Sequence, residues 1–198
     1  MEKTSTDTKD RIRTAALKLL AERGYSAVSM RELAEAVGMR QGGLYNHFAS
    51  KQDLLVDLMT RHMELLFDAY DMVQNNAGDP TERLEAFVRF HVGYHMEYPR
   101  DVFIAYMELR SLEDSARETV IRLRNRYEGI LADILNAGVD EGVFTLSNPA
   151  VHARMVLSML TGVTVWYRDG GRLSRDETIN CYVRGALQSV GLTVEDKT

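Results

Sequence analysis

Helix-start signals recur along this chain, and nothing in it alternates in the manner of a strand. Ser29-Met-Arg-Glu32, Ser115-Ala-Arg-Glu118 and Ser174-Arg-Asp-Glu177 each set an acid three residues after a serine, the spacing of a capping box. Asp79-Pro80 and Asn148-Pro149 each put a capping side chain before a proline at the first helical position. Ser50 precedes a strongly periodic segment. Gly24, Gly38, Gly78 and Gly142 fall where helices should stop. The pattern predicts an all-α chain of about nine helices: Thr8–Arg23, Ser29–Val37, Arg40–Phe48, Lys51–Asn75, then 80–97, 100–112, 115–141, 149–169 and 175–190.

Composition narrows the class. With 45% hydrophobic and 27% charged residues, the 198-residue chain has the make-up of a globular protein with a sizeable core. One cysteine, Cys181, leaves no intramolecular disulfide and no Cys-rich zinc site, and is read as a buried structural thiol. The charge-free stretch Met155–Tyr167 is too short for a bilayer, which takes roughly 20 residues. No membrane partner is expected. The polar beginning and the cysteine count point to the cytoplasm. Net charge is −5, but unevenly placed: residues 1–62 carry +2 and residues 63–198 carry −7. A small DNA-contacting module on an acidic body has this profile.

The segment Ser29–Phe48 reads SMRELAEAVGMRQGGLYNHF. Met30, Leu33, Ala34 and Val37 form one apolar face, and Leu44 and Phe48 anchor a second helix at i and i+4. Gly38 between them can take positive φ, which a short inter-helix turn requires. This is a helix-turn-helix pattern. The second helix leaves Arg40, Gln41, Gly42, Gly43, Tyr45 and His47 on its outer side. Arg40 and Gln41 suit guanine and adenine edges in a major groove, and the glycines let backbone approach the duplex. Tyr45, His47 and Lys51 suit phosphate oxygens.

Several of these residues carry a closer likeness. Ile12, Ala15-Ala16 and Leu19, Gly24-Tyr25, Ser29-Met30-Arg31, Leu33-Ala34, Val37-Gly38, Leu44 to Phe48 and Ser50-Lys51 together resemble the DNA-binding domain of the TetR family of bacterial transcriptional regulators. The likeness covers Arg11–Leu55. It implies residues 1–55 as a three-helix helix-turn-helix domain and 56–198 as a larger helical effector-binding and dimerisation domain. It implies double-stranded operator DNA as partner and a homodimer paired through the last two helices. Tyr45, His47 and Lys51 would meet phosphates, Arg40 to Gly43 would form the reading edge, and Ser29 and Arg31 would hold the backbone. The family's usual turn is Gly-Val-Ser; here it is Gly38-Met39-Arg40.

The body is rich in large, adaptable apolar residues suited to a pocket. Phe87, Tyr94, Met96 and Tyr98 fall on one predicted helix, and Phe103, Tyr106 and Met107 on the next. Plain core packing explains the same residues. Ala105–Leu112 and GVTVWYRDGGRLSRDE from Gly162 resemble a branch of the family that senses acyl-CoA thioesters, with Asp169 where that branch has proline. That likeness implies a small-molecule effector of the acyl-CoA type, and adds Arg110, Arg154, Trp166 and Arg168 as candidate ligand contacts. Arg168 equally suits a helix C-terminus. Met155, Met159, Leu160, Gly162 and Val163, with Tyr182, Ala186, Leu187 and Val190, are the expected dimer surface.

His91 and His95 stand at i and i+4, so both rings could reach one metal, but Val92 stands where zinc proteases have glutamate and no third ligand is evident. No metal and no cofactor is expected, and no nucleophile–base pair is seen. The reading is a ligand-responsive repressor rather than an enzyme. Two alternatives stay open: a small helical enzyme using Tyr94, His91 and His95, and a helical ligand carrier.

Overall fold

The computed structural model describes residues 2–74 and 78–193, with side chains from Asp7. Met1 and residues 75–77 and 194–198 of the expected domains lie outside the described residues; the helix expected to run to Asn75 ends at Asp71, where the Val73 and Gln74 N–H groups both turn back to the Tyr70 carbonyl. Among the described residues there is no strand. The helices are α1 (Glu2–Arg23), α2 (Met30–Ala36), α3 (Gln41–Tyr45), α4 (Lys51–Asp71), α5 (Pro80–Glu97), α6 (Pro99–Met107), α7 (Asp114–Asp140), α8 (Pro149–Thr161), α9 (Val163–Trp166) and α10 (Arg175–Ser189). A 3-10 turn at Leu109–Ser111 follows α6. Among the described residues no helix is long and apolar enough to cross a membrane.

Local chemistry explains most boundaries. Ser29, Asp79 and Ser174 each accept the backbone N–H of the glutamate three residues on, and that glutamate reaches back, completing a capping box. Asn148 accepts from Val151 N–H ahead of α8. Several expectations change. The first helix starts at Glu2 and not Thr8, and the helix expected over Arg40–Phe48 spans only Gln41–Tyr45. The helix expected from Ser115 begins at Asp114, so Ser115 is already inside it; Arg117 N–H bonds the Glu113 carbonyl, and the Arg117 guanidinium takes the Leu112 carbonyl and Asp114. The 100–112 helix breaks after Met107 into the 3-10 turn. The 149–169 helix breaks at Gly162.

The described chain divides into two compact units. One takes the chain up to Glu64 together with Pro99–Leu123; the other takes Leu65–Tyr98 and the described chain from Arg124 on. The first unit is therefore more than its N-terminal stretch. Its core joins Ile12, Ala16 and Leu20 of α1, Leu33 and Ala34 of α2, Leu44 of α3, and Leu54, Leu55 and Met59 of α4 to Ile104, Leu112 and Val120. Arg13 holds Asp57 in a bidentate pair at 2.7 and 2.8 Å, fixing α1 on α4.

In the second unit α5 packs against α8, α9 and α10. Phe87, Tyr70, Phe67 and Tyr127 form an aromatic cluster with centroids 5.4–6.4 Å apart, edge-on except for the tilted Phe87–Tyr127 pair. Two expectations for this unit are corrected. Leu160, Val163, Ala186, Leu187 and Val190 are buried inside it, so they do not form an outward face. Cys181 is exposed, because it lies on the side of α10 opposite the buried Val183, Ala186, Leu187 stripe.

Candidate nucleic-acid interface

The turn between α2 and α3 is built from the backbone. Gly38 takes φ +70°, and its N–H and that of Met39 return to the Glu35 and Ala34 carbonyls, closing α2. Arg11 of α1 donates to the Val37 carbonyl at 3.0 Å and ties the same turn to the first helix. Arg40 then caps α3 in an extended conformation with no side-chain cap bond, so its guanidinium is not used in holding the helix.

Leu44 is fully buried and Phe48 nearly so, which fixes the roll of α3. The opposite side then faces out: Arg40, Gln41, Gly42 and Tyr45 are exposed, and Gly43 and His47 half-exposed. No atom would meet a Cβ at Gly42 within 4 Å, whereas one at Gly43 would press on the Met39 methyl at 3.2 Å. Gly43 thus makes room for the turn's own Met39, while Gly42 leaves the outer edge bare.

Ser29 and Arg31 are exposed at the start of α2. The Ser29 hydroxyl and N–H both bond the Glu32 carboxylate, and with Arg23 at 2.9 Å these hold Glu32 down to about 2. Arg31 lies 3.6 Å from Glu35. Lys51 is engaged within the unit: its Nζ donates to the Tyr25 and Val28 carbonyls, both at 2.8 Å, and sits 4.0 Å from the Tyr25 ring centre. That leaves one ammonium N–H for a phosphate.

Sequence reasoning missed a residue here. Glu108, buried just after α6, accepts the Tyr25 N–H at 3.0 Å and the Ser111 hydroxyl at 2.7 Å. The loop that leads into α2 is therefore held by Lys51 on its carbonyls and by Glu108 on an N–H. The buried acid lies inside the Ala105–Leu112 segment singled out above, but no local spacing marks its partner.

The candidate ligand residues separate by unit. Tyr106, Met107 and Arg110 line one groove in the first unit together with Leu109 and Arg117, and Phe103 is exposed in the same unit. In the second unit, Phe87 and His91 are wholly buried and stacked. Tyr94 lies between Phe90 and Tyr98, Met96 is half-buried and Tyr98 exposed. Arg154 pairs with Glu128 at 2.7 Å. Trp166 stacks on Tyr182 and donates to its hydroxyl. Arg168 donates to the Tyr167 and Val165 carbonyls, closing the end of α9.

The His91 and His95 rings stack at 3.7 Å, and His91 is bonded at Nδ1 to the Tyr127 hydroxyl and at Nε2 to that of Thr161. Among the described residues no cluster of three or more His, Cys, Asp or Glu could hold a metal.

A buried anchor under an outward, glycine-bearing helix, closed by a left-handed glycine turn, defines a helix-turn-helix DNA-binding protein. The profile described as "Bacterial regulatory proteins, tetR family" matches residues 12–58, and that described as "Tetracyclin repressor-like, C-terminal domain" matches residues 77–190. The chain belongs to the TetR family of transcriptional regulators. It is 30% identical to the HTH-type transcriptional repressor KstR2 of Mycobacterium tuberculosis over 185 residues, 91% of this chain and 90% of that one. A tetR-family regulatory protein from Rhodococcus RHA1 superposes with a TM-score of 0.89 at 25% identity, over 94% of this chain and 98% of the other. AibR, in a crystal structure with isovaleryl coenzyme A and operator DNA, matches with a TM-score of 0.83 at 27% identity, over 89% and 96%.

Proposed function

We propose that this regulator works as a homodimeric repressor whose effector is an acyl-CoA thioester. Residues 1–55 would carry DNA recognition and 56–198 effector binding and dimerisation. The observation that carries the DNA reading is the exposed edge Arg40–Gly42 and Tyr45 above the fully buried Leu44. Arg40 and Gln41 would read base edges; Tyr45, His47 and the remaining N–H of Lys51 would meet phosphates; Ser29 and Arg31 would position α2 over the backbone. The thioester reading rests on the likeness to AibR, whose structure holds isovaleryl coenzyme A.

The dimer face is redrawn from the corrected burial. Val151, Met155 and Met159 recur every four residues along α8, all exposed, as is Trp166. With Tyr182 of α10 they supply the apolar surface that obligate interfaces bury. The effector acts by favouring a conformation with lower operator affinity, a coupling of about 1–3 kcal/mol.

The test is a gel shift with genomic fragments at low salt. The wild-type protein retards a promoter fragment, Tyr45→Ala weakens retention about tenfold or more while remaining folded, and an acyl-CoA releases the DNA. Failure to retard any fragment rejects the assigned face. Unchanged retention across a panel of CoA thioesters rejects the effector class.

A further inference from the structure

A groove of about 560 Å³ lies on the first unit, bounded by Tyr106, Met107, Leu109, Arg110 and Arg117. Its size is within the roughly 300–1,000 Å³ of small-molecule sites. Its lining joins two guanidinium groups to an exposed phenol ring and an exposed thioether, and no carboxylate lines it. Another hollow of the same unit, near α1, has Arg11, Lys18 and Arg100 offset by Asp7 and Asp10.

The two arginines differ in how they are held. Arg117 is pinned, with Nη2 on the Leu112 carbonyl at 2.9 Å and Nη1 3.2 Å from Asp114, while its Nε is sealed from solvent with no acceptor. Arg110 is exposed at the 3-10 turn, and among the described residues no carboxylate pairs with it. A guanidinium without an anion, on a turn that a pinned second guanidinium flanks, is suited to a phosphate held through paired N–H donors. Tyr106, 38% exposed, offers a ring face to a planar base, and Met107 a polarisable flank.

We propose that this groove recognises a phosphorylated purine. Resting on the thioester reading above, the purine is the 3′-phosphoadenosine end of a CoA thioester. Arg110 takes the phosphate, Arg117, already paired with Asp114, forms a rigid wall beside it, and Tyr106 stacks on adenine. The site belongs to the same unit as the helix-turn-helix. Glu108, which holds the Tyr25 N–H, lies between Met107 and Arg110, so a ligand drawn against Arg110 acts on the segment that braces the loop into α2.

The experiment is titration calorimetry on the full chain with isovaleryl-CoA, adenosine 3′,5′-bisphosphate and ATP. The proteins are wild type, Arg110→Ala, Arg110→Lys and Arg117→Ala, with Arg122→Ala as a control that does not line the groove. The bisphosphate is expected to bind and to displace isovaleryl-CoA. Arg110→Ala weakens both about tenfold or more, lysine recovers only part of that because it lacks the fork, and the control changes neither. Arg117→Ala should act alike, and if it fails to fold, Arg110→Ala alone decides. A folded Arg110→Ala that binds both as wild type overturns the proposal. If the thioester binds but the bisphosphate neither binds nor competes, the groove assignment falls and the effector reading stands. If ATP matches the bisphosphate, or the bisphosphate binds through Arg110 while no thioester binds, the groove stands as a free-nucleotide site and the thioester assignment falls. Binding of none of the three rejects both.

Discussion

His62 lies on α4 with 3% of its surface exposed, and burial pushes its imidazole down to about 4. The sign of the consequence is fixed. Above its ordinary value of 6.5 the ring is neutral whether the chain is folded or not. Below it, the unfolded chain takes a proton that the folded chain refuses, so stability falls as pH drops from 6.5 through about 4. That gap corresponds to roughly 3 kcal/mol, or about 6–12 °C in Tm for a chain of this size. His152, also lowered by burial, adds in the same direction. Glu32 acts in a different window: its contribution is present above its ordinary 4.5 and is lost only as pH falls toward 2. Melting curves from pH 7.5 to 4.5 should therefore slope downward in the wild type and flatten in His62→Gln; parallel curves would contradict the assignment. Gly138 gives a second prediction at this scale. It sits inside α7, where alanine ordinarily gains about 1 kcal/mol, but a methyl there would overlap the ring of Phe144, itself 4% exposed. Overpacking by about 1–3 kcal/mol wins, so Gly138→Ala should lower Tm, and adding Phe144→Leu should restore part of the loss.

At the scale of elements, the loop between α1 and α2 rests on two distant side chains. Removing the Glu108 carboxylate leaves a Tyr25 N–H without its acceptor, a cost of about 1–3 kcal/mol. Glu108→Ala should speed hydrogen exchange at Tyr25 and weaken operator binding, while exchange in α8 and α10 stays as it was; protected Tyr25 in that variant would show the loop to be held otherwise. The same comparison shows what a sequence can and cannot carry. Ser29, Asp79, Asn148 and Ser174 were legible because a cap is a spacing of three residues. Leu44 and Gly38 were legible because helix periodicity and a positive-φ turn are local too. Ser115 failed because Asp114 and the Arg117 side chain start α7 earlier. Arg11 on Val37, Arg13 on Asp57 and Glu108 on Tyr25 join residues 26, 44 and 83 positions apart, and no pattern within one segment announces such partners.

At the scale of the whole molecule, the proposed homodimer needs one apolar stripe to face a second copy. Sequence alone made Ala186, Leu187 and Val190 as eligible as Met155, because an apolar face buried within a chain and one buried between chains have the same composition. Burial separates them: the α10 residues are closed off in the unit's own core, whereas Val151, Met155 and Met159 are 49%, 62% and 39% exposed on consecutive turns of α8. A lysine at the middle position would be buried by pairing and left without a counter-ion there, but would remain in water in a lone chain, so it acts on association far more than on folding. Met155→Lys is therefore expected to sediment as a monomer at concentrations where the wild type is a dimer. Its helix content should be unchanged. Operator affinity should fall by about a hundredfold or more, since a single reading helix loses the second half-site that tethering supplied. A Met155→Lys protein that remains dimeric and holds its operator would place the pairing surface elsewhere on the chain.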